Sequence, residues 1–225
     1  MSKANLSVND GIALLTLDDG KANALGFDMQ ADISAALDEA EAKSDVLVIT
    51  GRAGVTSAGF DLKVMREQPD KVNDMVTGGG LLLTRLFDFP KPVIVASTGH
   101  AIAAGALLML TGDYRLGIEG DSQYGLNETA IGMTLPHFGL ELAKFKLAKT
   151  YLDRAFVSAE LYAGEAALAA GYLDAVMAPD ALMDAAMEKA KAMQALDAKS
   201  YTRNKRLIRG AIADDMRREL TTGKD

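Results

Sequence analysis

The chain has 225 residues, enough for one large domain or one domain with an appended helical piece, and 49% of them are apolar at a mean hydropathy of +0.06, which excludes a disordered chain. Lys and Arg number 24 against 31 Asp and Glu, a net charge of −7, and that balance argues against nucleic acid or an anionic membrane as the main partner. There is no cysteine, so disulfides, thiol nucleophiles and thiolate metal sites are excluded, and His100 and His137 are not spaced to share a helix face around a metal.

The opening MSKANLSVND holds no apolar core of signal-peptide length, and a cytoplasmic protein is expected. Asn9-Asp10-Gly11 between Asn5–Val8 and Ile12–Leu17 predicts a hairpin. A polar loop, Asp18–Leu25, leads into a helix over Phe27–Lys43 with Met29, Ile33, Leu37 and Ala40 on one face. Val46–Thr50 is a continuous apolar run of strand length, and a hairpin, a helix and a buried strand in succession predict an α/β sheet protein. The next segment, Gly51–Lys63, reads as a loop rich in small residues that enters a helix capped by Asp61. Its glycines, Gly51, Gly54 and Gly59, do not have the spacing of a dinucleotide-binding turn. Val72–Phe87 resumes helix after Gln68-Pro69-Asp70. Its Gly78-Gly79-Gly80 run predicts a kink or local mobility, since glycine in a helix costs about 1 kcal/mol relative to alanine.

Pro92–Gly112 runs for 21 residues without one Asp, Glu, Lys or Arg, in a chain that is 24% charged. It reads as a buried strand at Val93–Ala96, a turn at Ser97–Gly99 and a helix over Ala103–Leu110. A small-residue turn entering a helix aims unpaired N–H groups and the positive end of the helix dipole at one spot, which can hold an oxyanion. Tight packing without a ligand would use the same residues. Asp113–Ile118 is a further strand, with Asp113 a buried structural carboxylate. Glu128 follows, set among small and apolar residues before Pro136. Helices are predicted from Phe138 and over Ser158–Gly171, and a last strand lies within Tyr172–Met177. Ala178-Pro179-Asp180 marks a boundary between a core over 1–178 and a helical region over 179–225. The apolar face of that region is expected to pack on a neighbour or another subunit.

Five segments together resemble the crotonase superfamily, the enoyl-CoA hydratase and isomerase family. They are Lys21-Ala22-Asn23-Ala24-Leu25, Ser57-Ala58-Gly59-Phe60-Asp61-Leu62, Pro90–Gly105, Tyr124–Gly132 and the Ala159–Gly171 helix, in the family's order and at about its spacing. The resemblance implies a spiral of β-β-α turns ending in helices that assemble a homotrimer or a dimer of trimers. It implies an acyl-CoA thioester substrate, coenzyme A being part of that substrate and no separate cofactor. By position it assigns the N–H groups of Phe60 and Ala104 to the thioester oxygen. It places Ala22 and Asn23 near the adenine and Ala58, Gly59, Asp61, Leu62 and Lys63 along the pantetheine end, with Lys63 or the basic tail around Lys205 as phosphate partners.

The family's hydratases use two Glu residues, and the resemblance puts the second on Glu128 and the first on Leu107. A leucine cannot orient or deprotonate water. One carboxylate suffices to move a proton from C2 to C4 of a 3-enoyl thioester, so isomerisation is the expected activity. A hydratase or other crotonase-type reaction, or a CoA-ester-binding homologue without catalysis, are the alternatives. Glu128 needs a raised pKa for this task; on its own residues it reads equally as a surface carboxylate or a helix cap. Pro136 and His137 lie where they could edge the acyl pocket, with His137 as a possible second acid or base, while His100 is expected to be a hydrogen-bonded packing residue.

Overall fold

The computed structural model describes residues 2–222. Asp10 and Gly11 both take positive φ and close the predicted hairpin, in which β1 (Ala4–Asn9) and β2 (Ile12–Leu17) pair antiparallel. The sheet continues in parallel from β2 through β3 (Val46–Thr50), β5 (Val93–Ala96), β7 (Tyr114–Ile118) and β10 (Ala175–Met177), with β4 reserved for a second sheet. Strands β3 and β5 have no polar face because both faces are covered. Leu47, Ile49, Val93 and Val95 enter the main core, and Val46, Val48, Ile94 and Ala96 enter a smaller one on the opposite side.

The second sheet, in the order β4 (Gly54–Ser57), β6 (Gly99–Ile102), β8 (Gln123–Gly125) and β9 (Tyr162–Ala163), falls where the sequence predicts loops, turns or helix. Its strands are two to four residues long and rich in Gly, Ser, Thr and Ala, so no apolar alternation announces them. The same sheet explains a second correction. Instead of one helix over 158–171, Tyr162 pairs with Tyr124, and the chain turns helical only in α7 (Gly164–Ala170), which Gly171 ends in the left-handed conformation as expected.

Helix α1 (Phe27–Lys43) buries Met29, Ile33, Leu37 and Ala40, as its periodicity requires. After the short α2 (Leu62–Glu67), α3 (Val72–Phe87) runs unbroken through its three glycines. Each glycine has a neighbour pressed on it. A Cβ would lie 2.8 Å from Gln30 Oε1 at Gly78, 2.3 Å from the Phe60 ring at Gly79 and 2.8 Å from the Phe138 ring at Gly80. Close packing accounts for the run.

The remaining helices are α4 (Ala104–Thr111), α5 (His137–Lys146), α6 (Leu152–Phe156), α8 (Leu182–Gln194) and α9 (Ala198–Thr222). In this chain α8 buries Leu182, Ala186 and Ala190 in the smaller core, and α9 buries Ala213 and Met216 in the main one. These buried residues of the 179–225 region, whose last three residues lie outside the described ones, pack on the chain's own body, while Leu196, Leu207 and Ile208 stay exposed. No described helix is long and apolar enough to cross a membrane.

Candidate active site

Two backbone segments from different elements meet at the head of α4. Gly59, at φ 95°, lies so close to the start of that helix that a Cβ on it would be 2.8 Å from the Ala103 Cβ and 3.2 Å from the Ala104 nitrogen. Gly105 is equally constrained, since its Cβ would fall 2.1 Å from the Ser57 carbonyl. Ala103 itself holds φ 54° and ψ −127°, a conformation that costs an alanine on the order of 1–3 kcal/mol and persists only where its surroundings impose it. Here its N–H donates to Gly125 O at 2.9 Å, and its carbonyl accepts from Leu107 N at 3.1 Å.

A peptide unit points its C=O and the following N–H in opposite directions. With Ala103 O turned into α4, the Ala104 N–H faces out of the helix start. Gly59 O accepts from Leu25 N at 2.8 Å, so the Phe60 N–H faces the other way. Neither N–H donates to another group among the described residues. Two fixed, unused donors at a helix start are suited to a developing negative oxygen, and the loss of one such donor typically costs about 3–4 kcal/mol of barrier.

The carboxylate is delivered by the second sheet. Strands β6 and β8 pair in parallel, Ile102 opposite Gly125, so Ala104 and Glu128 emerge from the same end of neighbouring strands. The Glu128 backbone is pinned, its carbonyl accepting from Ile131 N at 3.1 Å and Met133 N at 2.9 Å around a short 3-10 turn. Its side chain is not. Glu128 is 7% exposed and its Oε2 has no hydrogen-bond partner among the described residues. Burial pushes its carboxyl from 4.5 up to about 7, opposed only by its own backbone N–H. A carboxyl near 7 can take and return a proton at neutral pH.

Leu107, one turn into α4, is 1% exposed, and its methyls lie close against Gly139. Asp61 caps α2, accepting from Lys63 N at 2.8 Å, as its position predicts. Leu62 is 57% exposed, and Lys63, also exposed, reaches only Glu67 at 3.8 Å. Ala22 and Ala58 are exposed and joined by the Ala58 N–H to Ala22 O bond of 2.9 Å. Asn23 is wholly buried. Its side-chain amide donates to Leu17 O at 2.8 Å and Thr56 O at 3.2 Å, so it shapes this loop from within rather than presenting a side chain to a ligand.

Pro136 precedes the first turn of α5, and His137 turns to α9, where its Nε2 meets Asp215 Oδ2 at 2.8 Å. His100 accepts from Gln123 N at 3.1 Å, hydrogen-bonded as expected but exposed rather than packed. Lys205 is not free for a phosphate; it is buried on Asp113 at 2.7 Å. The sequence does not single out Gln30, whose buried amide bridges the Leu25 loop and α3. Its position beside the apolar stripe of α1 was visible in the sequence, but Met75 O, which it reaches besides the nearby Leu25 O, lies 45 residues further along the chain.

The fold around these features is crotonase-like, and the chain belongs to the enoyl-CoA hydratase/isomerase family, which it matches over residues 7–223. A carnitinyl-CoA dehydratase of Salmonella enteritidis is 32% identical over 194 residues, covering 83% of this chain and 72% of that protein. The crystal structure of an enoyl-CoA hydratase/isomerase family protein from Pseudomonas syringae superposes with a TM-score of 0.95 at 37% identity, covering 97% of this chain and 95% of that one. The apo structure of an enoyl-CoA isomerase of Mycobacterium tuberculosis gives 0.92 at 38% identity, over 98% of this chain and 96% of that one.

Proposed function

We propose that this protein shifts the double bond of a 3-enoyl-CoA to the 2-position, with Glu128 as the proton shuttle and the Phe60 and Ala104 N–H groups as the oxyanion hole. The observation that carries this reading is a buried carboxylate with an unpartnered oxygen, Glu128, in a chain that has Leu107 where the resemblance places the hydratases' other Glu. Glu128 removes a proton from C2 as the electron pair moves toward the thioester oxygen, where the two N–H groups receive the charge. The conjugated enolate then takes the same proton at C4, and Glu128 is ionised again. Adding water needs a second group to hold and deprotonate it, and Leu107 offers none.

The dehydratase relative supports a second reading, water addition or removal on a CoA thioester with Glu128 alone. A CoA-ester binder without turnover is the third. In each, the exposed Ala22, Ala58, Leu62 and Lys63 flank the coenzyme, Asn23, Gly59 and Asp61 shape its loop, and Leu107, Pro136 and His137 border the acyl group. Coenzyme A enters as part of the substrate, with no further cofactor. A cytoplasmic protein without nucleic-acid or membrane partners completes the reading, as a homotrimer or dimer of trimers for which Leu207 and Ile208 on α9, 76% and 65% exposed, supply apolar contact.

Proton NMR of the purified protein with a 3-enoyl-CoA, and separately a 2-enoyl-CoA, in deuterated water separates the three. A bond shift with deuterium at C2 or C4 and no 3-hydroxy product is expected. A 3-hydroxy product without a shift selects the second reading, and binding without change on either substrate selects the third.

A further inference from the structure

The peptide that carries the Phe60 N–H is held by groups outside the site. Its carbonyl, Gly59 O, is fixed by Leu25 N at 2.8 Å. Leu25 is in turn fixed by Gln30, whose Nε2 donates to Leu25 O and to Met75 O of α3, each at 2.9 Å. Gln30 is 9% exposed. An amide placed so deep must find partners, and it spends both N–H bonds joining the Leu25 loop to α3.

The other side of the same peptide rests on α3 through the Phe60 ring. The ring lies where a Gly79 Cβ would stand, 2.3 Å from its Cε1 and 2.8 Å from its Cζ, and 3.2 Å from Gln30 Nε2. Gly78 leaves room for Gln30 Oε1 in the same way, at 2.8 Å. The two glycines thus admit an amide and an aromatic ring side by side against the helix backbone. Asp61, the next residue, is anchored separately as the cap of α2.

We propose that Gln30 and Gly79 are positioning residues for the Phe60 N–H, together fixing from α3 the depth and direction at which that donor meets the thioester oxygen. The inference rests on the assignment of Phe60 to the oxyanion hole and adds what sets its geometry. Neither residue touches substrate. A displacement of about 1 Å in such a group can cost on the order of 10²-fold in rate.

The test uses the full chain and a saturated acyl-CoA labelled with 13C at the thioester carbonyl, whose infrared stretch falls when the oxygen is hydrogen-bonded. The wild-type protein is expected to lower that stretch on binding. Gly79→Ala, which introduces a better helix former, is expected to weaken the shift and to lower kcat for a 3-enoyl-CoA by about 10- to 100-fold, with KM changed less than about 3-fold. Gln30→Met should do the same in smaller measure. Adding Phe60→Leu to Gly79→Ala removes the clash while keeping the backbone donor, and should return both readouts to those of Phe60→Leu alone, a non-additive cycle.

Folded Gly79→Ala and Gln30→Met proteins with the wild-type carbonyl shift and kcat would overturn the proposal. So would a Gly79→Ala loss that Phe60→Leu fails to rescue. A wild-type protein that binds the acyl-CoA without any carbonyl shift, or does not bind it, would instead overturn the oxyanion assignment beneath it.

Discussion

Asp113 and Glu128 both hold their carboxylates away from solvent, and their surroundings are opposite. The Asp113 side chain is 8% exposed; its Oδ2 accepts from Val93 N and from Lys205, each at 2.7 Å, and its Oδ1 forms an ion pair with Arg209 at 2.8 Å. Arg209 also donates to Phe87 O at 2.8 Å and Thr111 O at 3.1 Å, so the group fastens α9 to the sheet and to the ends of α3 and α4. Glu128 is 7% exposed with an idle oxygen and a carboxyl near neutrality. Depth alone therefore assigns no role. A carboxylate whose acceptors are all engaged holds structure, and one left unpaired on a rigid backbone is free for proton transfer.

Four substitutions or titrations would break or sharpen that contrast. Glu128→Gln should have the largest effect, a loss of about 10²- to 10⁴-fold in kcat with acyl-CoA affinity changed only a few-fold, read by isomerase kinetics and calorimetry. A near wild-type rate would remove Glu128 from the chemistry. Asp113→Ala should act on the fold, because it strands Lys205 and Arg209 as buried cations. A loss of about 3–5 kcal/mol in denaturant unfolding is expected, with kcat of the folded protein retained. An unmoved midpoint would mean that Asp113 holds nothing.

The pH dependence follows from the sign of the Glu128 shift. Its folded value, about 7, lies above the ordinary 4.5, so the folded state keeps a proton that the unfolded chain releases. Its contribution is fully present below 4.5 and is lost as pH rises through about 7, with a slope approaching about 1.4 kcal/mol per pH unit in that window. Glu128→Gln should flatten the slope. Over the same window kcat/KM should rise as the base ionises, and a rate that falls with pH would contradict the role. His137→Gln should have the smallest effect, less than about 3-fold on kcat, because its ring is engaged with Asp215 on a partly exposed surface. A collapse of kcat would instead reveal a second acid or base.

Most of the long, doubly buried sheet was legible in the sequence. Val46–Thr50 and Val93–Ala96 are continuous apolar runs bounded by Gly and Pro, and parallel pairing with both faces covered demands such runs. The small sheet was not legible, since GVTS, GHAI, QYG and YA are held by long-range pairing rather than by their own pattern. The site divides along the same line. Glu128 and Leu107 could be singled out from the sequence because they fall within an ordered set of motifs. The packing reason for Gly78-Gly79-Gly80 was not, because the groups that press on them, Gln30, Phe60 and Phe138, are far away in the chain. Lys205 misled for a related reason: a basic residue on a charged helix reads as solvated until its acid, 92 residues earlier, is seen beside it.

The most direct test of the single-carboxylate shuttle follows the proton itself. A 3-enoyl-CoA carrying two deuterons at C2 would be converted in ordinary water and the product analysed for label at C4 by mass spectrometry and NMR. Because Glu128 is shielded from solvent, part of the label should pass from C2 to C4 in the wild-type protein. Complete washout of label at C4, in a protein that shifts the bond at full rate, would contradict transfer by one buried carboxylate.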